Sequence, residues 1–141
     1  MPALFEISLE TGPAPALGPE LLPPGFVPVT YSLSLAVSCP LTLVVGRLGV
    51  FPFPAGRYAY IGSSRRNIFA RLRRHLRREK KLRWHIDYLL ADSAVCVSGL
   101  SLSVRPECDL VAASGGRVVV PGFGASDCRR GCGSHLRYFG S

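Results

Sequence analysis

Arg71 and His75 stand four residues apart in a segment whose apolar residues recur at helical spacing, so a helix carries both on one face. The guanidinium offers a planar fork to phosphate oxygens, and an imidazole beside it can donate, accept or pass a proton. The same pair also suits an ordinary basic helix surface. Tyr31 and Tyr60 lie in two β-patterned runs. A phenol titrates near ~10. Either tyrosine therefore works as a base at neutral pH only if cations lower that value, and otherwise packs in a core with its hydroxyl satisfied. Glu107 opens a short helical segment, where a carboxylate faces the helix dipole.

The five cysteines divide into two groups. Cys39 and Cys96 stand in apolar, strand-like surroundings, where buried free thiols are the expectation. Cys128, Cys132 and His135 fall within eight residues of a glycine-rich loop, and Cys108 beside Glu107 is available as a fourth donor. A Cys₃His set of this kind makes a tetrahedral structural zinc site. The spacing departs from the usual CxxC pair, so a disulfide from Cys108 to Cys128 or Cys132, or free thiols throughout, fits the sequence as well.

Residues 65–83 hold ten basic residues and one acid, Glu79. The whole chain has 17 Lys and Arg against nine Asp and Glu, a net charge of +8, so this one segment accounts for the basic character. Such concentration favours a polyanionic partner, through counterion release from phosphates. Arg65, Arg66, Arg74, Arg78, Lys81 and His85 are the nucleic-acid-binding candidates; the competing reading is a solvated helix face. On a helical wheel Arg71 and His75 fall at the edge of the apolar stripe, as lining a cleft requires, whereas Arg74 and Arg78 point further outward. In the following Trp84-His85-Ile86-Asp87, His85 can approach phosphate, and Trp84 either packs in the core or stacks on a base. Asp87 suits a structural role, orienting His85 or pairing with an arginine of the preceding helix.

These side chains need a frame. Residues 29–37 alternate with period two and read as a strand with one buried face, and 41–45 continue the pattern and can pair back on it. A turn-rich connection over 46–56 leads to a second strand, 57–62. A helix follows, with Ser63 or Ser64 as its N-cap and Ile68, Phe69, Leu72 and Leu76 inward. The pattern then predicts a helix over 82–91 with Ile86, Leu89 and Leu90 inward, a strand over 94–104 and a short helix over 105–113. A short strand at 117–120, a loop and a last element at 135–139 complete the chain. The order predicts a small α/β domain over residues 28–141. Before it, residues 1–27 form a Pro-rich N-terminal arm, with six of the twelve prolines between 12 and 28. Its Leu17, Leu21, Leu22 and Phe26 predict that it lies on the domain.

Composition sets the outer bounds. A chain of 141 residues implies one domain, and 48% hydrophobic against 18% charged residues rules out wholesale disorder. No apolar run approaches the ~20 residues that span a bilayer. The first residues, Met1-Pro2-Ala3-Leu4-Phe5-Glu6, lack the positive region that opens a secretory signal. The expectation is a soluble, cytoplasmic protein with no membrane partner.

One pattern gathers these candidates. Tyr60-Ile61-Gly62-Ser63-Ser64, followed by the Arg71-x-x-x-His75 helix, resembles the GIY-YIG nuclease superfamily. Val29-Thr30-Tyr31 resembles the GIY element, and Glu107 in Arg105-Pro106-Glu107-Cys108 stands where the family's metal-binding glutamate is expected. Trp84-His85-Ile86-Asp87-Tyr88-Leu89 and Pro121-Gly122-Phe123-Gly124-x-Ser126-Asp127-Cys128 resemble a little-characterised microbial branch of the superfamily, some of whose members are fused to a base-excision endonuclease. The resemblance covers residues 28–139. It departs from the family where Val29 replaces a glycine and where 28 residues separate Tyr31 from Tyr60 instead of a short hairpin.

The resemblance implies a small, mostly antiparallel central sheet flanked by helices, and a catalytic set of Tyr31, Tyr60, Arg71, His75 and Glu107. It further implies Mg²⁺ or Mn²⁺ on Glu107, and hydrolysis of DNA phosphodiesters in repair or on branched structures, with RNA left open and a repair protein as a further partner. Arg71 would face the scissile phosphate. Tyr31 or Tyr60 would position or deprotonate water, and His75 would assist proton transfer or orient a tyrosine. Two other function classes stand beside the endonuclease. One is a catalytically inactive nucleic-acid-binding module using the basic helix 65–83; the other is a zinc-stabilised protein-interaction domain.

Overall fold

The computed structural model describes residues 4–9, 17–77, 79–125, 128 and 130–141. In chain order the elements are β1 (Leu4–Ser8), β2 (Thr30–Val37), β3 (Leu41–Val45), β4 (Gly49–Phe53), β5 (Gly56–Ser63), α1 (Ile68–Leu76), α2 (His85–Leu90), β6 (Val95–Ser103), α3 (Glu107–Ser114) and β7 (Leu136–Gly140). Five strands form one antiparallel sheet in the order β1-β6-β2-β5-β7, and β3 with β4 make a separate two-stranded ribbon. The architecture is α/β, as the element pattern predicts, with the mostly antiparallel sheet that the resemblance implies.

The period-two pattern of β2 explains its central place. Tyr31, Leu33, Leu35 and Val37 are buried on one face, opposite Gly62, Tyr60, Tyr58 and Gly56 of β5. Against that face pack Ile68 and Leu72 of α1 and Ile86, Leu89 and Leu90 of α2, all buried. Truncating a wholly buried leucine such as Leu72 in such a core costs about 2–5 kcal/mol. The arm closes part of the same core: Leu17 and Phe26 are buried in it, and Leu21 and Leu22 pack against it, partly buried. Its residues 10–16 lie outside the described residues.

Several expectations are corrected. β3 does not pair back on β2; it pairs with β4, which occupies what reads in sequence as a turn-rich connection. Pro52 lies in β4 and hides the strand pattern, because proline offers no ladder donor. Residues 117–120 contribute only an isolated bridge from Arg117 to Tyr138. The sheet also begins earlier than residue 28, since β1 pairs with β6. The second helix starts at His85, not 82, because Asp87 draws the N–H groups of Arg83 and Trp84 into a turn. Ser64 Oγ accepts the Asn67 N–H at 3.2 Å, yet Asn67 is the residue that precedes α1. Cys39 and Cys96 are exposed, Cys96 on the sheet face turned away from the helices. Among the described residues no helix is long and apolar enough to cross a membrane.

Candidate functional site

A cleft of about 460 Å³ opens between the ends of β2 and β5, the start of α2, the first turn of α3 and the loop before β7. Tyr31, Tyr60, Arg71 and Glu107 all line it, together with Gly62, Ser63, Arg83, Trp84, His85, Cys108, Gly124, Cys128 and His135. Four of the five residues expected to act together therefore meet there. His75 does not line the cleft. It lies behind Tyr31, 2% exposed, with Nε2 and Tyr31 Oη sharing a hydrogen bond of 2.7 Å.

Local sequence explains these placements. Directly opposite Tyr31 on the sheet stands Gly62, and a side-chain carbon there would collide with the Tyr31 ring and hydroxyl. Gly62, next to last in β5, is thus the space into which Tyr31 packs. Gly124 serves Tyr60 in the same way: a Cβ there would come within 2.8 Å of the Tyr60 ring, at a φ of +66° that favours glycine. Phe123, wholly buried, meets Tyr60 edge-on at 6.0 Å between centroids and His85 at 5.7 Å. Arg71 is aimed by its own Nη1, which donates to the Ser63 carbonyl at 2.7 Å.

Burial sets the protonation states on this side. It pushes the Tyr31 phenol up, and neighbouring Tyr60 adds to this while Arg71 opposes it. Burial does the same to Tyr60, with Glu107 adding to it. Burial also brings His75 down to about 4, with Lys80 acting in the same direction. Both phenols and the imidazole are therefore neutral near pH ~7.

Part of the basic segment is committed to structure. Arg74 was expected to point outward; instead its guanidinium grips Asp87 through two hydrogen bonds of 2.8 Å, because Asp87 is wholly buried and requires a partner. Asp87 also accepts the Arg83 and Trp84 N–H groups, each at 2.9 Å. Burial raises its pKa, but these four hydrogen bonds together hold the carboxyl below its usual range. Arg73 donates to the Leu17 carbonyl, and Lys80 to the last carbonyls of α1. Trp84 is covered by the Arg71 and Arg74 guanidiniums, at 4.8 and 4.3 Å from its ring centroid. Arg65, Arg66 and Lys81 are exposed and do not line the cleft, whereas Arg78 lies outside the described residues. His85 lines the cleft, and its Nδ1 accepts the Gly124 N–H at 2.9 Å. That bond leaves Nε2 to carry the ring proton, as a neutral donor.

On the opposite wall Cys108, Cys128, Cys132 and His135 bring four donor atoms within 4.8 Å of one another. They can hold a metal ion. The three cysteines are free thiols, and the Cys108 and Cys128 sulfurs are 3.7 Å apart. His135 is 2% exposed, and among the described residues neither of its ring nitrogens has a hydrogen-bond partner. Its Nδ1 lies 3.5 Å from Glu107 Oε1, an ion-pair distance longer than a good hydrogen bond. The Glu107 carboxylate pushes His135 up to about 9, against burial. Burial and the neighbouring thiols push Cys108 up to about 12, while the Cys132 and Arg130 N–H groups pull Cys128 down to about 6.

A family model, the domain of unknown function DUF123, matches residues 30–141. The chain belongs to this family. No curated protein and no solved structure matches it. The DUF123 region runs from β2 to β7 and contains every residue that lines the cleft; β1 and the arm lie outside it. Sequence reasoning missed Arg83, Ser63 and Gly124 as parts of this cleft. Only the glycine had a local signal, in the Gly122-Phe123-Gly124 turn.

Proposed function

We propose that the cleft is the active site of a GIY-YIG-type, metal-dependent endonuclease that hydrolyses DNA phosphodiesters, in repair or on branched structures. The observation that carries this reading is the meeting of Tyr31, Tyr60, Arg71 and Glu107, from β2, β5, α1 and α3, around one cleft. The long interval between the two tyrosines does not disturb the arrangement. The β3–β4 ribbon takes it up, and β2 still pairs directly with β5.

Arg71, anchored on Ser63 through one nitrogen, keeps the rest of its fork for the scissile phosphate. Tyr31 and Tyr60, held neutral by burial, orient the attacking water by hydrogen bonding and do not serve as bases. His75 acts through Tyr31, fixing its hydroxyl from behind. His85 adds a neutral donor, and exposed Arg65, Arg66 and Lys81 extend the phosphate track. Glu107, 28% exposed in its side chain, is the hard oxygen donor that suits Mg²⁺ or Mn²⁺. Such an ion supplies Lewis-acid stabilisation of the phosphoryl charge.

For the Cys/His cluster we infer a structural zinc ion. Two thiolates on a tetrahedral zinc with ~2.3 Å bonds stand about 3.8 Å apart, close to the 3.7 Å between Cys108 and Cys128. Soft sulfur and nitrogen donors select zinc where Glu107 selects a hard cation.

The test is cleavage of supercoiled, branched and lesion-containing DNA with Mg²⁺ or Mn²⁺, comparing the native chain with Glu107→Gln and Arg71→Ala. Metal-dependent nicking, reduced about a hundred- to a thousandfold in both variants while DNA binding persists, is expected. No cleavage of any substrate by the native chain would replace this reading with the inactive binding module.

A further inference from the structure

His135 is the one cluster donor that also meets the cleft carboxylate. Its backbone is pinned on both sides: the N–H donates to the Phe123 carbonyl at 2.8 Å, and its carbonyl accepts the Ile61 N–H at 3.0 Å. The imidazole is buried with Nδ1 facing Glu107 Oε1 at 3.5 Å. Glu107 and Cys108 are consecutive at the start of α3, so one helical turn supplies a carboxylate to the cleft and a thiol to the cluster. A histidine that binds metal through one ring nitrogen commonly gives its other N–H to a carboxylate, which fixes tautomer and orientation for both partners.

We propose that His135 is a positioning residue joining the two metal sites: it ligates zinc through Nε2 and donates its Nδ1–H to Glu107, fixing the carboxylate that faces the cleft. The proposal rests on the zinc and divalent-cation readings above. Zinc binding holds the ring in the Nδ1–H tautomer. Glu107 Oε1 accepts that proton's hydrogen bond, and Oε2 is left for the cleft. The cluster thereby does more than brace the loop. It sets the geometry of the neighbouring carboxylate at the start of α3, and loss of zinc weakens cation binding in the cleft without removing any of its donors.

Two measurements on the full, zinc-loaded chain test this. The first is the ¹⁵N spectrum of the His135 imidazole. A metal-bound Nε2 with a protonated Nδ1 is expected; a metal-bound Nδ1 overturns the proposal. The second compares Mn²⁺ binding in native protein, His135→Cys and Glu107→Gln, with zinc content measured in each. His135→Cys keeps four soft donors, so it should retain one zinc and lose about tenfold in Mn²⁺ affinity. Retained zinc with unchanged Mn²⁺ affinity overturns the proposal. Should His135→Cys fail to fold, the spectrum decides alone. Native protein that binds no Mn²⁺, or a Glu107→Gln chain that binds it as well as native, overturns the cation reading of Glu107, a failure that leaves the imidazole spectrum to judge the His135–Glu107 link.

Discussion

The two walls of the cleft are built on different principles. On the β2–β5–α1 side, polar side chains meet other groups of the same chain, Tyr31 with His75 Nε2, Arg71 with the Ser63 carbonyl and Arg74 with Asp87, and only His75 Nδ1 is buried without a partner among the described residues. Regular elements set these positions and burial keeps Tyr31, Tyr60 and His75 neutral. On the α3 and loop side, four soft donors converge and a buried imidazole has no hydrogen-bond partner among the described residues. The first wall is held by the chain's own hydrogen bonds and packing, whereas the second presents four donors that a metal ion would join under the zinc proposal. A lesion in the first wall should therefore act through packing and pH, and a lesion in the second through metal content.

The sharpest test of the contrast is removal of the cluster. Cys132→Ser, or chelation of the native chain, should cost about 5 kcal/mol or more, a part of the ~10–16 kcal/mol that zinc contributes to small finger folds. Calorimetry with metal analysis reads this, and an unchanged transition after complete zinc loss breaks the comparison. Next, Asp87→Ala leaves the Arg74 guanidinium facing a wholly buried gap and should cost about 3–5 kcal/mol in urea unfolding, with zinc content unchanged.

The third effect depends on pH. His75 has a folded pKa of about 4, below its unfolded value of ~6.5. The neutral form is favoured by folding, so this stability is complete above pH ~6.5 and is lost as pH falls toward about 4, in total about 3 kcal/mol. Unfolding of the native chain and of His75→Gln across that range should differ in slope by up to one proton; equal slopes would refute the assignment. The smallest effect is expected for Arg130→Ala. Its ion pair with Asp109 is 2.8 Å long but lies at the surface, so the melting temperature should not change measurably.

What could be read from the sequence follows from where each residue stands. Tyr31, Tyr60, Arg71 and Glu107 lie within or at the ends of regular elements, so periodicity places them to within a residue or two. The α1 stripe of Ile68, Phe69, Leu72 and Leu76 is legible for the same reason. Asp87 is legible as a partner for an arginine of the preceding helix, but a wheel records only helix faces and does not show that Arg74 is the one it claims. The metal-binding potential of Cys108 with Cys128, Cys132 and His135 was visible as a set of residue types. Its closeness was not, since α3 and the loop meet only in the tertiary fold. Cys96 was read as buried because an apolar strand does not announce that one sheet face is left open. The β3–β4 ribbon was hidden by its own proline.

The strand order carries a kinetic consequence. β2 occupies the middle of the sheet, yet its partners arrive late: Leu33 pairs with Tyr60 and Leu100, about 30 and 70 residues downstream. Loops of those lengths must close before either pairing returns any free energy. Chains dominated by such distant pairings fold in milliseconds to seconds, well behind helical bundles of equal size. The cleft needs β5, α3 and the segment before β7 together, so it comes into being only with the last closure, and partly folded chains carry the basic helix without the assembled cleft.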